Sequence, residues 1–369
     1  MAKPKDLKAL IELTKSTRTL LTHFQSSLAP SSAATPSDSQ TTATELPNPL
    51  DAIKASTTLL KSHTTTLSLL LINPPLTPSA LVIKIGDVTS GALSGMVAAA
   101  SYVPQPGQRD DIGNIMRTEL RAHVRRLLGT WGDVLAMVLR IAETRQQATG
   151  KDTGPTQSEK QDVLSATGVL WDSCDALLKL CDDGVVGLVV KKAGELRSTL
   201  LDAIEELKEW GEDVEDDDDE AEGSDDEDDM FGASNKLGKH DKELKELLDL
   251  SIKKLKMVGM LYQALIKRRL KTYTTSASPS TSTTNGNTET ATPAKKLGDL
   301  MAQLRTIPDT VDDLASAFYN LDEDEAKETL TKACTEAKCA AAPVKCSWTG
   351  SEDEFTAWYE KWMVAIEAA

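Results

Sequence analysis

Aromatic side chains are scarce in this sequence. Phe, Trp and Tyr together make up 4% of its 369 residues, few for a stacked β-sheet core, and no run alternates apolar and polar residues as a half-buried strand would. Cysteine is sparse too. Its five copies are an odd number, and there is no Asn-x-Ser/Thr acceptor, which points to reduced thiols inside a cell rather than a disulfide framework. Histidine occurs only at His23, His63, His123 and His240, on separate predicted helices and without the spacing that gathers two metal ligands and a base. Long apolar runs are also missing: none approaches the roughly 20 residues of a membrane span, and the densest, 67–72, stops at Asn73-Pro74-Pro75. The N-terminus is charged and amphipathic rather than a basic stub before an apolar run, so a soluble, non-exported protein is expected.

Basic residues are absent from one segment. Of the 57 acidic residues 14 lie between positions 212 and 229, where there is no Lys or Arg, leaving 43 acids against 41 bases elsewhere. The net charge of -16 therefore describes a nearly neutral body carrying one polyanionic loop. Charge this dense repels itself and buries no apolar surface, so the loop is expected to stay solvated and disordered.

What is abundant is Leu, Ala, Lys and Glu, a mixture that favours helices. The expected class is all-α, as two antiparallel helical bundles with acidic and Ser/Thr-rich insertions. Leu7, Leu10, Ile11, Leu21, Phe24 and Leu28 recur at helical spacing before a Ser/Thr/Ala/Pro tract over 30–47. Further helices are predicted at 49–72, 79–102 and 111–149, the last spaced by Met116, Leu120, Val124, Leu127, Trp131, Val134 and Val138. Gly86, Gly91 and Gly95 in the third of these imply either close helix packing or a broken element. Residues 182–184 read as a short turn joining two more helices into an antiparallel hairpin. A long helix over 241–273 precedes a Ser/Thr/Asn/Gly linker. Three further helices are predicted at 295–306, at 308–319 running on through 322–339, and at 352–367, the last carrying Trp358 and Trp362 one turn apart. The expected organisation is an N-terminal bundle over 1–150, a second bundle over 156–273 with the acidic loop at 211–233, a disordered linker at 274–294, and C-terminal helices over 295–369 packing on one or both bundles.

Nothing assembles a catalytic, metal or cofactor site. Cys174 and Cys181 lie on an apolar stripe and read as core; Cys334, Cys339 and Cys346 match no zinc spacing. The Gly-rich segment from Gly86 lacks the Lys-Ser/Thr of a phosphate loop. Candidates for binding are of another kind. Arg117, Arg121 and Arg125 recur every fourth residue beside Arg126, a spacing at which like charges repel. The strip is either a docking site for an acidic partner or phosphate, or a solvated face answered by neighbouring acids, or a seat for the acidic loop. Asp216, Asp217, Asp218, Asp219 and Glu220 in that loop either attract basic proteins or only aid solubility. Ser224 precedes Asp225, Asp226 and Glu227, a context suited to acidophilic kinases. The K-R-R-L-K run from Lys267 is weakly like a nuclear-import patch, although such runs also complement helix dipoles.

The stretches G-V-L-W-D-S-C-D-A-L from Gly168, G-V-V-G-L-V-V-K-K-A from Gly184 and L-D-A-I-E-E-L-K-E-W-G-E-D from Leu201 resemble fungal members of the cyclin-D-binding, or Grap2 and cyclin-D-interacting, protein family. The likeness is clearest over 80–210. It implies a two-bundle helical protein that acts by binding others, in nucleus and cytoplasm, as a regulator of cell-cycle progression, with no catalytic residues to carry over. Cyclin-like or helix-loop-helix proteins are the partners it implies, and neither membrane nor direct DNA binding is expected. The reading is a non-enzymatic adaptor for cell-cycle or transcriptional control; the alternative is an acidic chaperone for basic proteins such as histones.

Overall fold

The computed structural model describes residues 4–30, 48–104, 110, 112–147, 154–213, 236–238, 240–274 and 293–369. The acidic loop with Asp216 to Glu220 and Ser224, and most of both Ser/Thr tracts, lie outside them. Among the described residues there is no β-strand element; the protein is all-α. Its helices are α1 Pro4–Ser27, α2 Pro49–Ile72, α3 Pro78–Ser101, α4 Gly113–Gln147, α5 Gln157–Glu212, α6 Lys242–Leu265, α7 Pro293–Tyr319, α8 Glu323–Ala341 and α9 Glu354–Ala368. Two compact units divide at Gly184, covering 1–184 and 185–369. Residues 156–184 thus group with the first unit instead of with 185–273, and all three C-terminal helices belong to the second.

Gly184 interrupts α5 with φ 63° and ψ −166°, a region open essentially to glycine alone. Helix ends there and restarts, as the short turn read from the sequence requires.

In the first unit α4 is the central rod, about 52 Å long for its 35 residues. Met116, Val124, Leu127, Leu128, Trp131, Val134, Leu135 and Val138 on it are fully buried. Polar side chains also enter the helix interfaces. Thr14, Thr57, Thr64 and Thr167 are buried yet satisfied, each donating its hydroxyl to the carbonyl four residues back, a local bond that helices accommodate. Cross-helix pairs fix antiparallel neighbours. Lys54 meets Asp182 while Lys61 meets Asp175, and Arg140 meets Asp162 while Arg145 meets Glu159.

Both readings of the α3 glycines hold. A Cβ on Gly95 would come within 3.0 Å of Ser56 Oγ on α2, so the bare position permits close approach. The helix also widens to π geometry over Val88–Leu93, with Ser94 Oγ donating to the Thr89 carbonyl five residues back. One sequence expectation needs correction: α3 is long and apolar enough, by length and composition, to cross a membrane, with 39% of its best window buried in this fold. Lys84, Asp87, Thr89, Ser90 and Ser94 are spread along it, so no unbroken apolar run marks it.

The second unit pairs 185–212 with α6 antiparallel, Arg197 Nε donating to the Gly259 carbonyl and Gly211 facing Leu248. α7 packs on α8, and α8 and α9 on α6. Here Pro308 does not separate two helices as the sequence suggests. α7 runs straight through it, and the break falls later, where Leu321 takes φ 58° and the Asp322 side chain accepts the Glu325 N–H to open α8. Proline deprives the Leu304 carbonyl of its helical donor. The buried Tyr262 hydroxyl supplies one at 2.5 Å.

Candidate functional site

Among the described residues no group of three or more His, Cys, Asp or Glu is placed to hold a metal ion. Cys174 and Cys181 are buried; desolvation pushes their thiols up to about 12 and about 11 respectively, out of reach of thiolate chemistry near neutrality. Cys334 is buried and shifted upward for the same reason, while Cys339 is exposed and Cys346 half-buried.

The arginines of α4 do not form one strip. Arg117 gives a bidentate pair to Asp110 at 2.6 and 2.9 Å, and Asp110 also accepts the Gly113 N–H, so the two fasten the start of α4. Burial would raise the Asp110 carboxyl, but the guanidinium and the N–H outweigh it and hold it below the usual range. Arg121 turns to the end of α3, its Nε donating to the Ala100 carbonyl at 3.1 Å, and so complements the negative end of that helix. Arg125 and Arg126 remain exposed, without an ion pair among the described residues.

Beside them lies a shallow cleft of about 530 Å³ between α1 and α4, lined by Arg18, Thr22, Gln25, Gly129, Gly132 and Asp133 among others. The two helices run antiparallel: the Gln25 amide donates to the Arg125 carbonyl at 3.3 Å and Lys15 pairs with Glu143 at 2.8 Å. Gly129 and Gly132 keep the floor free of side chains. Sequence periodicity marks the apolar stripes of both helices but not which two stripes meet, so this cleft was not legible beforehand.

The K-R-R-L-K run is not a free basic patch. π geometry over Ile266–Leu270 re-aims the chain and turns Arg269 inward, where it is 1% exposed. All five of its N–H groups find acceptors, namely the carbonyls of Val344, Arg268 and Lys345 and both oxygens of Asp353. Its plane covers the Phe355 ring at 4.3 Å. Arg268 reaches the Glu354 carbonyl. An import receptor needs such side chains free, and two of the four basic ones are engaged in holding α9. Of the two tryptophans whose spacing implied a buried stripe, Trp362 is buried, its indole N–H donating to the Met257 carbonyl, and Trp358 is only half-buried.

Against known proteins, residues 52–213 match the family profile described as Grap2 and cyclin-D-interacting, N-terminal. The match begins in α2 and ends just past α5, at the start of the acidic loop. An uncharacterized protein of Schizosaccharomyces pombe is 26% identical over 316 residues, 86% of this chain and 83% of that relative.

Proposed function

Because residues 52–213 match the Grap2 and cyclin-D-interacting family profile, we propose that this chain is a non-enzymatic protein-binding adaptor of cell-cycle or transcriptional control, acting in nucleus and cytoplasm. The observation that carries this reading is the family match lying across helices that offer interfaces but no gathered nucleophile, base and orienting group among the described residues. Cyclin-like or helix-loop-helix proteins are the partners the family description favours. Helices with clefts between them recognise other helices through complementary stripes.

A second reading has its own support in the 14 acids of 212–229. A solvated polyanion attracts basic proteins and releases them as salt rises, the behaviour of an acidic chaperone for proteins such as histones. Affinity capture from cell extract across a salt series, comparing the full chain with a deletion of 212–229, separates the two. The adaptor reading expects the same partners on both forms; loss of every partner with the deletion favours the chaperone and refutes the adaptor.

A further inference from the structure

Four of the seven described arginines of the first unit are engaged. Arg117, Arg140 and Arg145 are ion-paired, and Arg121 bonds the carbonyls that end α3. Arg18, Arg125 and Arg126 are different. All three are exposed, and none has an ion pair among the described residues, although adjacent like charges repel and a folded surface ordinarily intersperses acids among them. They also converge. Arg18 lines the α1–α4 cleft, and Arg125 and Arg126 stand about one turn before Gly129 in its floor, tied to the opposite wall through the Gln25 amide and the Arg125 carbonyl.

The acids nearby do not answer this charge. Glu143 is taken by Lys15 at 2.8 Å, leaving Asp133 as the acidic group among the cleft's lining residues. Three guanidiniums with open forks beside a floor of two glycines favour a ligand that brings several carboxylates along a backbone able to approach closely. Nucleic acid fits less well. No aromatic side chain lines the cleft to stack a base.

We propose that the α1–α4 cleft, through Arg18, Arg125 and Arg126, is the docking surface for an acidic segment of a partner protein. The proposal rests on the adaptor reading above and gives it a partner chemistry and a place. Carboxylates at one-turn spacing on the partner pair with the guanidiniums, and charge sets which partners are accepted and how fast they arrive.

Fluorescence anisotropy with the full chain tests it. The probe is a labelled synthetic peptide with Glu at every third or fourth position among Ala and Leu; a peptide with Lys in place of Glu and a single-stranded oligonucleotide of equal charge are the comparisons. The Glu peptide should bind at low salt, lose affinity as salt rises, and bind at least about ten-fold more weakly to the triple variant Arg18→Gln, Arg125→Gln, Arg126→Gln. Because loss of binding could reflect poor folding, a second variant, Arg125→Glu with Arg126→Glu, should gain affinity for the Lys peptide, a change that misfolding does not produce. Equal binding of the Glu peptide by parent and triple variant overturns the proposal, and so does preference for the oligonucleotide. If the parent and the triple variant capture the same proteins from extract, the adaptor reading survives and this surface is refuted; if the parent captures none, the adaptor reading falls while the peptide titration still decides the surface.

Discussion

Tyr262 donates its hydroxyl to the main-chain carbonyl of Leu304 across the α6–α7 interface at 2.5 Å, replacing the bond that Pro308, four residues on, has no N–H to make. The hydroxyl is buried and its pKa is shifted upward by desolvation, so it stays a donor at all physiological pH. A side chain on one helix thereby repairs the backbone of another, and Pro308 sits buried within α7 instead of ending it.

Tyr262→Phe should cost about 1–3 kcal/mol, the penalty of stranding a buried acceptor. In a Pro308→Ala background, where residue 308 regains an N–H for Leu304, the same substitution should cost less than half as much. Urea unfolding of the four proteins in a double-mutant cycle measures the coupling; additive effects would show that the hydroxyl does not compensate for the proline.

Removing the buried guanidinium should strongly destabilise the second unit. Arg269→Met keeps much of the apolar stem but strands the Val344 and Lys345 carbonyls and the Asp353 carboxylate, for an expected loss of about 3 kcal/mol. Arg269→Lys should recover only part of it, since an ammonium cannot reproduce the fork. Denaturant midpoints, with Trp348 and Trp362 fluorescence reporting on the C-terminal segment, check both.

Acid should loosen the same place. Hydrogen bonds from Arg269 hold the Asp353 carboxyl below the usual carboxylate range, outweighing its partial burial. A carboxyl depressed in the folded state stabilises the fold above its unfolded value, about 3.9, and that contribution fades as pH falls from there through the folded value. The denaturant midpoint of the parent should therefore drop more steeply below about pH 4 than that of Asp353→Asn, which lacks this titration; parallel curves would contradict the assignment.

Thiol labelling should follow burial. With the protein folded, a thiol reagent should modify Cys339 first and Cys346 more slowly, while Cys174, Cys181 and Cys334 wait for unfolding. Mass spectrometry of partly labelled protein gives the order, and early labelling of Cys174 would show the first unit's core to be open.

Much of the fold was legible because helical periodicity is local. The reading of 49–72 coincides with α2, and those of 79–102, 111–149 and 352–367 differ from α3, α4 and α9 by one or two residues at each end. The errors arise where a distant group overrides a local rule. Pro308 reads as a break, yet Tyr262, 46 residues earlier in the sequence, removes the reason for one. Arg269 reads as part of an exposed basic run, yet four of its five hydrogen bonds reach residues 75 to 84 positions further on. The even spacing of Arg117, Arg121 and Arg125 suggests one strip, but two of them find fixed partners at the ends of α4 and α3, which no helix period encodes. Asp353 and Thr356 form a reciprocal cap at the start of α9 and were the one local signal of the C-terminal clamp.

The clamp around Arg269 bears on how the chain is made. All its acceptors but the Arg268 carbonyl lie at 344–353 and the buried Trp362 lies beyond them, so the second unit cannot close until these residues have left the ribosome. A nascent chain that terminates before Val344 would carry a bare cation in what should be an apolar seam. Messages with premature stops in this stretch should yield products that chaperones retain and proteases clear.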